Sequence, residues 1–214
     1  MRRFTFVLSL VAGLALLAPR TSSAQVAIDL GVKGGLAISD LDVEDDEGID
    51  SRTGLVGGGF ATFGIGNNFF IQPELLYSMK GAKGDVEGVD ATFKLDYFEI
   101  PVLFGARFPI ANSPIEPRVF AGPAVAFEMS CKIDGEEGGV SVSVDCEDLG
   151  LDTKSVDFGV AFGAGFGYAL EKLSIIVDGR YDLGIANIDD SGFDTGDVKN
   201  RAWQFMAGVA FPLN

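Results

Sequence analysis

The strongest constraint in this chain is an alternation of period two in which one face is large and apolar and the other is small. Across residues 155–168, Val156, Phe158, Val160, Phe162, Ala164, Phe166 and Tyr168 share one parity. Asp157, Gly159, Ala161, Gly163, Gly165 and Gly167 share the other. A helix would spread both sets over every side; a strand gives each its own face. The pattern recurs in 26–38, 69–80, 98–108, 119–129, 173–185 and 203–211. Segment 53–66 is less regular, with glycines on both faces. The count is eight strands of roughly 11 to 15 residues each.

The connections alternate in length. Short ones fall near 66–68, 109–117 and 169–172, and long ones at 40–51, 81–90, 131–153 and 186–199. That alternation predicts an up-and-down meander with every long loop at one end. The long loops hold 21 of the 31 Asp and Glu residues, so most of the acid gathers at that end.

Two barrels fit eight such strands. A soluble, lipocalin-like barrel turns its large apolar face inward, and a membrane barrel turns it outward. The minor face decides between them. It carries Gly, Ala, Ser and isolated charges of both signs, whereas a wetted sheet surface would be rich in Lys, Glu and Thr. Strands of this length cross a bilayer when tilted, and closure removes the sheet edges that lipid cannot satisfy. The expected fold is therefore all-β, an eight-stranded antiparallel up-and-down transmembrane β-barrel. Pro73, Pro101 and Pro123 lie inside predicted strands, and each calls for a bulge or local irregularity because proline cannot donate to the ladder.

The start of the chain reads as a secretory signal peptide, residues 1–24, ahead of a barrel domain at 25–214. Arg2 and Arg3 form a positive region, 4–18 is apolar apart from Thr5 and Ser9, and Ser22 and Ala24 supply small residues for cleavage. Its removal takes away Arg2, Arg3 and Arg20 but no acid, so the net charge moves from −15 to −18. Such a chain has no electrostatic means of binding nucleic acid. With no histidine, it cannot use Ser-His-Asp or Cys-His chemistry or His-ligated zinc. The reading is a non-enzyme without cofactors.

Four segments resemble a known family. They are Gly31-Val32-Lys33-Gly34-Gly35-Leu36, Gln72-Pro73-Glu74-Leu75-Leu76-Tyr77-Ser78, Tyr97-Phe98-Glu99-Ile100-Pro101 and Gly179-Arg180-Tyr181-Asp182-Leu183-Gly184-Ile185. They are similar to motifs of the outer-membrane β-barrel domain family often called porin-family or PorT-like proteins, in the same order and spacing. The resemblance implies a bacterial outer-membrane barrel and carries Pro73 and Pro101 with it. It does not imply one activity, nor a pore. Gly208, Phe211 and Leu213 match the spacing of a C-terminal assembly signal, which implies the barrel-assembly machinery as a partner during biogenesis.

Candidate functional residues fall into three groups. Parity turns Lys33, Glu74, Glu99, Arg107, Arg118, Glu128, Asp178 and Arg180 inward, where buried charges should pair. They form either a static salt-bridged core or the gate of a narrow ion path. Cys131 and Cys146 bracket an acidic, Gly-rich segment and are expected to form a disulfide, worth about 3 kcal/mol for a loop of this size. Asp40, Asp42 and Glu44 begin like a calcium loop, but Asp45 stands where that loop needs Gly, so they are weak metal candidates. Asp189, Asp190, Asp194 and Asp197 are similarly suggestive.

The sequence-based reading is an outer-membrane barrel, monomeric, with a structural or surface-interaction role carried by acidic outer loops. Its partners would be outer-membrane lipid, lipopolysaccharide and an unspecified surface partner. The alternatives are a narrow ion or solute channel and an accessory component of a secretion system.

Overall fold

The computed structural model describes residues 27–42, 49–86, 89–137, 140–151, 153–188 and 198–213. The signal-peptide reading, Glu44, Asp189, Asp190, Asp194 and Asp197 lie outside them.

The described residues form nine strands: β1 (Ile28–Asp42), β2 (Ile49–Ile65), β3 (Phe69–Val86), β4 (Val89–Arg107), β5 (Ile115–Glu137), β6 (Val140–Asp145), β7 (Val156–Ala169), β8 (Ser174–Gly184) and β9 (Lys199–Pro212). All pairings are antiparallel. They run β4-β3-β2-β1-β9-β8-β7-β5, and β4 pairs with β5 to close the ring. Eight strands make the wall. The remaining strand, β6, pairs among the described residues with the far end of β5 alone.

The alternation sorts the faces as parity requires. Val32, Leu55, Phe69, Phe104, Phe158, Phe162, Phe166, Trp203 and Phe205 are exposed on the outside. Lys33, Gln72, Glu74, Glu99, Asp178, Arg180 and Gln204 are buried inside. An outer surface of this composition would be unstable in water and suits lipid. The short turns, at 66–68, 108–114 and 170–173, share one end, which is the periplasmic end in barrels of this type.

Inward glycines make room for large neighbours. A Cβ on Gly31 would overlap the Phe60 ring, and one on Gly105 would overlap the Phe70 ring. These phenylalanines fill the periplasmic half of the lumen in two apolar clusters. One is Phe60, Ile176 and Ala210; the other is Phe70, Leu103, Phe120 and Ala161. At the outer end Leu95, Tyr97, Ala126 and Ile188 form a further apolar layer. Ile188 lies just past β8 and is held there by backbone hydrogen bonds, accepting from Lys154 at 2.8 Å and donating to Val198 at 2.8 Å.

Two expectations need correction, and a third is met in its milder form. Segments read as long loops are largely strand: β3 and β4 continue as a hairpin to Val86↔Val89, and β5 and β6 to Glu137↔Val140. Above the membrane a strand has no lipid to face, so it loses the apolar parity that marks it. The prolines bring local irregularity, the milder of the two expected forms, and no bulge. Register is the same on both sides of Pro73 and of Pro101, and the ladder merely skips the pairs between Pro73↔Val102 and Leu76↔Glu99 and between Pro101↔Ala124 and Phe104↔Ala121. The register shifts lie elsewhere, between Ser51 and Val56 and between Asp96 and Tyr97. Finally, β6 is a strand that the eight-strand count did not contain.

Candidate functional site: a charged core across the lumen

The inward charges of the wall converge on Arg180. From β8, its guanidinium meets Glu74 of β3 at 2.8 Å, Asp182 at 3.2 Å and Glu99 of β4 at 3.5 Å. It also donates to the amide oxygen of Gln204 at 2.8 Å. In the ring order β3 and β8 are four strands apart in either direction, so the Arg180–Glu74 pair spans the lumen between opposite walls. Both side chains are 0% exposed.

The remaining charges extend this pair into a balanced network. Glu74 also accepts from Lys33 at 2.6 Å and from the Gln72 amide at 2.6 Å. Asp178 lies 3.6 Å from Lys33 and 3.5 Å from Arg118. Arg118 donates to Gln72 at 2.8 Å and rests on the Phe70 ring, 4.8 Å from its centroid. Lys80 closes the outer side, 2.5 Å from Glu99 and 3.9 Å from Asp182. Four cations (Lys33, Lys80, Arg118, Arg180) thus face four carboxylates (Glu74, Glu99, Asp178, Asp182). Balance and pairing of opposite charges are the conditions under which charges are tolerated in a buried interior. Above it, Asn200 of β9 donates to the Tyr97 hydroxyl on the opposite strand β4 at 3.0 Å and to Asp157 at 2.9 Å.

Parity located this core from the sequence only in part. Lys33, Glu74, Glu99, Arg118, Asp178 and Arg180 meet in one network. Arg107 does not. As the last residue of β4 it sits at the periplasmic mouth, 3.8 Å from Glu116, where the wall has ended. There it lines a cavity of about 290 Å³ with Asp29, Glu116, Arg118 and Ser174. Glu128 is also outside the network. It is half-buried at the outer mouth, beside the β5 register shift, and accepts from Thr153 at 2.6 Å. Lys80, Asp182, Gln72, Gln204, Tyr97 and Asn200 belong to the core but were not among the candidates. All carry the inward parity, and the rule that selected Lys33 and Arg180 could have selected them.

Cys131 and Cys146 form a disulfide. It joins β5 to the short helical turn directly after β6. Of the weak metal candidates, Asp42 is paired with Arg201, and among the described residues no cluster of three ligating side chains forms a metal site. Outside the membrane, hydrogen bonds from Lys94 and Ser143 hold the Asp134 carboxyl below the usual carboxylate range.

A closed antiparallel ring with an apolar exterior and a salt-bridged lumen defines an integral membrane β-barrel. The family model described as outer membrane protein beta-barrel domain matches residues 23–190. The chain belongs to that family, whose members are barrels of the bacterial outer membrane. Among solved structures it is similar to Neisserial surface protein A, with 16% identity, 85% of this chain and 96% of that one covered, and a TM-score of 0.51. A major outer membrane protein from Thermus thermophilus gives 12% identity, coverage of 88% and 100%, and a TM-score of 0.51. At these identities the likeness concerns the fold. No protein of curated function matches the chain by sequence.

Proposed function

We propose that the protein is a closed, non-conducting outer-membrane barrel whose work is structural and interactive, done by the polar hairpins it holds outside the membrane. The observation that carries this reading is the Arg180–Glu74 contact across the lumen, 2.8 Å long with both partners fully buried. A path for ions would have to break it and leave several charges unpaired in a narrow interior, at a cost of several kcal/mol. The apolar layers on either side add two further barriers, and the periplasmic cavity ends at Phe70 and Arg118. Export through a cleaved signal peptide, insertion by the barrel-assembly machinery and residence as a monomer among lipopolysaccharide complete the reading. The absence of histidine supports a role without catalysis.

Planar-bilayer recording on the refolded protein tests it. The expected record is a flat baseline at either polarity. Steady, ion-selective steps that change when Glu99 or Arg180 is neutralised would replace this reading with a narrow channel.

A further inference from the structure

Among the described residues one edge of the sheet is left open. β7 pairs with β5 only as far as Phe127↔Val156, and beyond it β6 occupies that side of β5 from Lys132↔Asp145 to Glu137↔Val140. Among the described residues no strand pairs with the other side of β6, the terminal strand of the sheet. With the outer ends of β2, β3, β4 and β5 it forms a sheet that stands above one side of the wall.

Proteins blunt such edges with lysine, proline, bulges or very short strands. The opposite edge here is short among the described residues, of which only Ile49–Ser51 of β2 continue the pairing with β3. β6 has no such protection. Its sequence, Val140-Ser141-Val142-Ser143-Val144-Asp145, contains no lysine, proline or glycine and is of ordinary strand length. It is also fixed in advance, because the disulfide ties the residue after Asp145 to β5. A preformed edge does not have to be ordered at the moment of binding.

The surroundings select the partner's charge. Residues 131–150 hold six carboxylates (Asp134, Glu136, Glu137, Asp145, Glu147 and Asp148) against Lys132, which pairs with Asp145, and Lys94 of β4, which pairs with Asp134, so acid outnumbers base by six to two. A second copy is disfavoured by its own net charge, −18 without residues 1–24. Two copies side by side in one membrane would also be related by an axis along the membrane normal. Such an axis cannot set two tilted β6 strands antiparallel.

We propose that β6 is a docking edge for an extended, basic segment of a partner protein, which joins the sheet as an added strand. Main-chain hydrogen bonds to β6 would give the affinity, and alternate Lys or Arg side chains facing the carboxylates would give the selectivity. The inference rests on the surface-interaction reading and gives that reading a location.

The probe is an alternating Lys-Val octapeptide with ¹³C-labelled carbonyls, added at low salt to the full barrel refolded in lipid nanodiscs. Saturable binding is expected, with the labelled amide band moving to its β-sheet position. A peptide with proline at its centre should bind at least about tenfold more weakly, as should the Val142→Pro barrel, a loss of about 1.4 kcal/mol. A Glu-Val peptide should not bind. The proline peptide leaves the protein intact, so the result does not depend on how the Val142→Pro hairpin folds. No binding, binding without the β-sheet band, or binding equally strong with the proline peptide would overturn the proposal. Self-association of the wild-type barrel that Val142→Pro abolishes would assign the edge to a second copy and overturn it too. Failure here with a flat bilayer record would remove the edge but leave the closed-barrel reading intact. Conducting steps would remove that reading itself.

Discussion

Replacing Arg180 with methionine should destabilise the barrel by about 3–5 kcal/mol, the range for removing one member of a buried charge network. Methionine keeps much of the side-chain length, so the expected loss is electrostatic rather than steric. Without the guanidinium, Glu74 retains Lys33 and Glu99 retains Lys80, but Asp182 keeps only a 3.9 Å contact with Lys80. Four carboxylates then face three cations in an enclosed lumen. Urea unfolding in lipid vesicles measures the loss. Two controls set the scale. Lys132→Met and Arg201→Met remove half-exposed pairs, with Asp145 and Asp42, and should each cost no more than about 1 kcal/mol. Adding Glu74→Gln to Arg180→Met should recover part of the loss, because the two residues are directly coupled. An Arg180→Met cost as small as the controls would mean that water, not protein, solvates these charges.

Phe162→Arg should cost about 2–4 kcal/mol, the range for arginine placed on the lipid face near the bilayer midplane. Phe162 lies midway along β7, is 45% exposed and packs against Tyr181, with ring centroids 5.6 Å apart. Its exposure is the point of the test. On a water-soluble protein, a surface substitution of this kind usually changes stability by no more than about 0.5 kcal/mol. Val142→Arg, on β6 above the membrane, should stay within that limit. A cost for Phe162→Arg no larger than for Val142→Arg would place β7 in water.

These two residues also mark what the sequence made legible. Phe162 could be assigned from parity alone, since side chains alternate strictly and lipid demands apolar residues on one face. Arg180 could be turned inward by the same rule. Its partner could not be named, because Glu74 is 106 residues away and the pairing depends on the registers of the strands between them. Arg107 shows where parity stops: it has the inward parity but stands where the wall ends. Residues 81–86, 89 and 90, within the segment 81–90 read as a loop, show the converse. They are strand, yet their Gly, Lys and Asp content reads as loop, because the hairpin above the membrane has no apolar face to display. β6 was hidden for a related reason. Its alternating Val and Ser sit inside an acidic, Gly-rich segment, and its pairing with β5 is fixed by the disulfide rather than by burial.

The central claim is that the large apolar face meets lipid while the charges meet one another inside. Trp203 reports on it directly. It is the only tryptophan, it is 51% exposed on β9, and it stacks in an outward row with Tyr181 and Phe205. The measurement is quenching of Trp203 fluorescence in the barrel folded into vesicles, with bromines on the lipid acyl chains compared against iodide in the water. Strong quenching by the brominated chains and little by iodide is expected. Quenching by iodide with none from the brominated chains would put the apolar face in water and contradict it.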